Sequence, residues 1–107
     1  MDELIERILE ISKEKEGKTL LEMTLKCSEE VGELAQAVLS YTNACGCGYK
    51  NLGINDVKEE LIDIFIVAMA LAAKIGLTKE EIKFISEDKV IKWQNVIVKE
   101  NGNFNKS

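Results

Sequence analysis

The sequence predicts an all-α protein of four helices, and three observations carry that prediction. The 107 residues include no proline and are rich in Glu, Lys, Leu, Ile and Ala, which cost little in a helix, whereas an interior proline costs about 3 kcal/mol. Apolar residues recur at spacings of three and four, the period of an amphipathic helix. A capping residue followed three positions later by Glu occurs where three of these runs begin: Thr19 with Glu22, Asp56 with Glu59, and Thr78 with Glu81.

The first helix is expected over about residues 2 to 16, stopping at Gly17. The second opens at the Thr19 capping box and runs to about Tyr41, with Met23, Cys27, Leu34, Val38 and Tyr41 forming one stripe and Glu30 lying on it. "TNACGCGYKNLGIND" follows as the one long loop, with Gly46, Gly48 and Gly53. The Asp56–Glu59 spacing places the start of the third helix, which should end at Gly76, a natural residue just past a helix C-terminus. The fourth begins at Thr78 and continues through about Lys99, with Ile82, Ile85, Val90, Trp93, Val96 and Ile97 in one stripe and Lys89 inside it. A single domain over residues 1–100 with a frayed tail at 101–107 is the expected organisation.

Composition narrows the function classes. A net charge of −5 argues against a nucleic-acid or anionic-membrane surface as the main partner, because those need a cationic face. The longest unbroken apolar run, residues 64–73, is about half of the ~20 residues that a spanning helix needs. "MDELIERILE" is charged and amphipathic, unlike a signal peptide, so a cytoplasmic location is expected. Cys27, Cys45 and Cys47 are an odd number, and the chain has no histidine. The C-x-C of "ACGCGY" lacks the usual zinc spacing, and a fourth ligand is missing. These cysteines read as reduced thiols, with Cys27 in the core.

The third helix poses the functional question. In "EELIDIFIVAMALAA", residues 59–73, every residue after Glu60 is apolar except Asp63. An unpaired buried carboxylate costs several kcal/mol or gives up its charge, so a cation is expected beside it. A short repeat supplies further acids: "EEVGEL" at 29–34 and "EELIDI" at 59–64 share the pattern acid, acid, apolar, any, acid, apolar. Glu60 and Asp63, three residues apart, are neighbours on one helix face. Antiparallel packing of the second and third helices, at about 8–10 Å, would bring Glu30 and Glu33 to them, with Glu29 facing further out. Four carboxylates in one pocket require compensation, and Arg7 is the one arginine. Hard, oxygen-only donors suit Mg²⁺ or Mn²⁺, and magnesium commonly keeps waters and phosphate oxygens among its ligands. The competing reading makes these acids surface ion pairs, such as Lys26 with Glu30 at i,i+4. Lys89 likewise either snorkels to solvent or binds substrate. Lys74, on nearly the same face as Asp63 but roughly 16 Å along the axis, either reaches a polyphosphate or serves the helix C-terminus. Trp93 and Tyr41 can stack on a base, although an aromatic in an apolar stripe is more often core.

Glu29-Glu30-x-x-Glu33, followed after 26 residues by Glu60-x-x-Asp63, resembles the motif of the MazG-like, all-α nucleoside triphosphate pyrophosphatases, over about residues 20 to 95. The resemblance implies a four-helix bundle completed by oligomerisation to a homodimer or homotetramer. It implies Mg²⁺-dependent hydrolysis of a (deoxy)nucleoside triphosphate to the monophosphate and pyrophosphate, as in nucleotide-pool house-cleaning. By position it makes Glu30, Glu33, Glu60 and Asp63 metal ligands, with Glu29 assisting metal binding or orienting the attacking water. Family members often carry a Lys and Asn/Arg-rich segment on the last helix; here Lys89, Lys92 and Asn95 stand there without an arginine and join Lys74 as candidate substrate contacts. Two alternatives remain: a phosphoribosyl-ATP pyrophosphohydrolase of histidine biosynthesis, and a non-catalytic, metal-binding helical oligomer.

Overall fold

The computed structural model describes residues 2–43 and 52–105, with side chains described as far as Asn101. Cys45 and Cys47 lie outside the described residues. Four helices appear in order: α1 (Asp2–Lys15), α2 (Leu20–Tyr41), α3 (Ile54–Lys74) and α4 (Lys79–Asn105). No strand occurs among the described residues. No helix among them is long and apolar enough to cross a membrane.

Local chemistry sets the helix ends. At α2 the capping box forms as expected: the Glu22 N–H donates to Thr19 Oγ1 at 3.1 Å, and the Thr19 N–H donates to Glu22 Oε1 at 3.0 Å. The backbone and hydroxyl of Thr19 hold the Glu22 carboxyl below its usual range. The same box opens α4, with Glu81 N–H to Thr78 Oγ1 at 3.1 Å and Thr78 N–H to Glu81 Oε1 at 3.2 Å. Helix α3 departs from expectation. It starts at Ile54 because the Gly53 N–H donates to Asp56 Oδ2 at 2.7 Å; Asp56 is therefore the third helical residue rather than the cap, and Glu59 takes no part. Gly76 follows α3 at φ +82°, the left-handed conformation that glycine adopts without penalty. Asn43 does the same after α2 at φ 55°, a place where Asn is tolerated. Helix α4 passes Gly102 and continues to Asn105, since a lone glycine costs only about 1 kcal/mol.

The chain divides into two units, Met1–Gly76 and Leu77–Ser107. In the first, α3 packs against both α2 and α1. Helices α2 and α3 are antiparallel: Ser40 at the end of α2 bonds Leu52 just before α3, and Glu22 near the start of α2 feels the charge of Lys74 at the end of α3. Helices α1 and α3 run in the same direction, since Ile8 and Ile66 line one hollow and Glu16 and Lys74 a neighbouring one. Among the described residues the buried ones are Leu9, Met23, Ala37, Ala72 and Ala73, together with Glu30 and Ser40.

The second unit consists of α4 and its cap. Ile82 and Ile97 are half-buried, whereas Phe84, Ile85, Val90, Trp93, Val96 and Lys89 are exposed. The apolar stripe that would enclose Lys89 is thus largely open to solvent.

Candidate metal centre

Helix α2 buries the face that carries Met23, Glu30, Ala37 and Ser40, spaced by seven, seven and three residues, which returns each to nearly the same side of a 3.6-residue helix. Val38 and Tyr41, expected on that stripe, are exposed, because alignment on Ala37 and Ser40 turns them outward. Glu30 is only 7% exposed. From the facing helix come Glu60, half-buried, and Asp63. One carboxylate oxygen from each of Glu30, Glu60 and Asp63 can be chosen so that all three lie within 4.8 Å of one another.

Asp63 corrects the expectation of a fully enclosed carboxylate. It is exposed, because α1 and α2 cover only part of the circumference of α3 and leave Leu61, Ile62 and Ile66 beside it exposed as well. The buried acid is Glu30 instead. The cluster therefore has a closed side at Glu30 and an open side at Asp63.

The electrostatics are unbalanced. Glu30 Oε2 and Glu60 Oε2 are both buried without a hydrogen-bond partner, whereas buried polar atoms are normally satisfied. The Glu60 carboxyl is pushed up to about 7. Burial is the largest cause, followed by the charge of Glu33, contact with the Glu30 carboxyl, and the charges of Glu30 and Asp63. A proton on Glu60 relieves this strain, as a shared proton does between any two close carboxyls. Glu33 is exposed and stands outside the three-oxygen group, yet its charge reaches Glu60.

Lys26 supplies a positive charge to the buried end of the cluster, and Lys58 lines a hollow with Asp63 at its open end. Lys26 Nζ lies 3.1 Å from Glu30 Oε1 and 3.8 Å from Glu29 Oε1, and these acids hold the ammonium above its usual range, the hydrogen bond with Glu30 being the largest cause. The ion-pair reading of Glu30 is therefore correct for one oxygen and leaves the other unmatched. The sequence reading named Lys26 with Glu30 as a surface pair; the structure adds Glu29 to it, at the spacing of three and four residues that aligns all three on one face.

The remaining candidates fall elsewhere. Lys74 is exposed at the last turn of α3 and lines a hollow with Ser12, Lys13, Glu16, Ala70 and Ala73, apart from the acids. Lys89, Lys92 and Asn95 are exposed on α4, and Lys92 Nζ pairs with Asp88 Oδ2 at 3.0 Å. Comparison of the chain with protein-family models, with curated proteins and with solved structures finds no match in any of the three.

Proposed function

We propose that the chain is a Mg²⁺-dependent hydrolase that cleaves a (deoxy)nucleoside triphosphate to the monophosphate and pyrophosphate, in the manner that its MazG-like motif implies, with Mn²⁺ as the alternative ion. The observation that carries this reading is the pair of buried, unpartnered carboxylate oxygens on Glu30 and Glu60 beside the open Asp63. All the donors are hard oxygens, without nitrogen or sulfur, which suits Mg²⁺ or Mn²⁺ over softer ions.

In this reading Glu30, Glu60 and Asp63 hold the ion, and Glu33 adds its charge from the rim. A bound Mg²⁺ would lower the pKa of a coordinated water and neutralise charge on the phosphates. Glu60, whose carboxyl is pushed up to about 7, would give up its proton to solvent to hold the cation. Glu29, exposed and adjacent to Lys26, faces the solvent side, where it orients the attacking water. The open flank at Asp63 is the route by which a triphosphate, otherwise repelled by an acidic chain, reaches the cluster.

Assembly into a homodimer or homotetramer belongs to the same proposal. The exposed Leu61, Ile62 and Ile66 of α3 and Leu21, Leu25 and Val31 of α2 are apolar surface that a second copy would cover. The non-catalytic, metal-binding oligomer is kept as the second reading, because Lys74 lines a hollow apart from the acids and so brings no phosphate contact to them.

A panel of nucleoside triphosphates and phosphoribosyl-ATP, assayed for pyrophosphate with Mg²⁺ and with EDTA, tests the proposal. Release of pyrophosphate that depends on Mg²⁺ supports it, and the preferred substrate separates the two enzymatic readings. Mg²⁺ binding without turnover of any member favours the non-catalytic reading.

A further inference from the structure

Lys26 has a place in the cluster that the proposed reaction does not use. Its ammonium meets Glu30 Oε1 at 3.1 Å, while the other oxygen of the same carboxylate is buried and unpartnered. The two ends of this ion pair differ in exposure: the Lys26 side chain is 42% exposed and that of Glu30 is 9%. The lysine thus sits at the water-facing edge of a buried acid and can withdraw into solvent at little cost, since a flexible four-carbon stem carries a strongly hydrated ammonium. Glu30 cannot move out in the same way.

We infer that Lys26 is the resident counter-ion of the acid cluster, holding Glu30 in the metal-free chain and competing with a divalent cation for it. The inference rests on the metal-binding reading given above and adds a built-in brake to it. Two cations that draw on one carboxylate oppose each other, so the lysine protects the metal-free fold from the repulsion of Glu30, Glu33, Glu60 and Asp63 and lowers the affinity of the site for metal. The hollow between α1 and α3 offers no comparable role. Its lysines, Lys13 and Lys74, lie in the last turns of helices that run in the same direction, where they already complement the helix dipoles.

Calorimetric titration of Mg²⁺ into the metal-free full chain, at low ionic strength, tests this with the parent, Lys26→Gln and Lys26→Arg. Removing one positive charge a few ångströms from a divalent ion in a largely aqueous setting corresponds to affinity tighter by on the order of tenfold. Lys26→Gln should therefore bind Mg²⁺ about tenfold more tightly, and in EDTA it should melt below the parent. Saturating Mg²⁺ should bring the two melting temperatures together. Lys26→Arg, which keeps the charge, should bind within about twofold of the parent. Affinity in Lys26→Gln that is equal to or weaker than the parent's overturns the inference and leaves the metal site standing. So does an arginine variant that behaves like the glutamine one. A parent protein that binds no divalent cation overturns both.

Discussion

Glu60 is the residue through which the cluster should report on pH. Its carboxyl titrates near 7 in the folded chain, against an ordinary value of 4.5. Between those values the folded state holds a proton that the unfolded state has released, so this group's contribution to stability falls as pH rises across the window. The metal-free protein should therefore gain melting temperature, relative to a Glu60→Gln variant, as pH drops from about 7.5 to about 5. Parallel profiles for the two proteins would remove Glu60 from the account. Asp63 supports that shift by its charge, and Asp63→Asn should lower the apparent pKa of Glu60. It should also abolish most of the stabilisation by Mg²⁺, which acts through binding to the folded state alone, without lowering the metal-free melting temperature. A metal-free variant clearly less stable than its parent would mark Asp63 as a structural residue. The sequence made the acids legible as a group, because spacing alone aligns Glu60 with Asp63 and places Glu30 on the buried stripe. It placed Glu30 correctly but took Asp63 for a buried acid as well. Burial there depends on how much of α3 its neighbours cover, a property of packing that the apolar run at 64–73 overstated.

Helix ends were the most legible elements, because a cap is decided by four residues of local sequence. Thr19 with Glu22 and Thr78 with Glu81 form the expected reciprocal bonds. Thr19→Ala should cost about 1 kcal/mol, read by denaturant melts of the metal-free protein; no change would mean that α2 is held by packing alone. Gly76→Ala isolates a different cost. No atom lies within 4 Å of the added Cβ, but the backbone sits at φ +82°, so the expected loss of roughly 1–2 kcal/mol comes from conformation and not from a clash. Asp56 shows why α3 was misplaced at its start. An acid two or three residues into a helix reaches back to a preceding N–H much as a capping residue reaches forward, and the shared signature "D-x-x-E" favoured the wrong one. The end of α4 had no such signature, and nothing before Asn105 is strong enough to stop a helix.

For the whole molecule, the expected quantity is the number of chains. Among the described residues the buried apolar set is Leu9, Met23 and three alanines, while Leu21, Leu25, Leu61 and Ile62 are exposed. The unit that holds it ends at Gly76, and below about 80 residues a core this small rarely suffices without further support. Sedimentation should find a dimer or tetramer at micromolar concentration; a 12.0 kDa species alone would count against it. The expectation of assembly rests in the sequence on an excess of apolar faces over helices available to cover them, since a single chain's sequence carries no mark of which face would meet a copy. The bond from the Leu52 N–H to the buried Ser40 Oγ, 3.0 Å long, has an evolutionary consequence. It ties the residue just before α3 to the end of α2, so this junction of the two acidic helices is held by a hydroxyl as well as by their packing. Lineages of this protein should therefore hold Ser40 more strictly than the exposed positions that follow it on α2 and beyond.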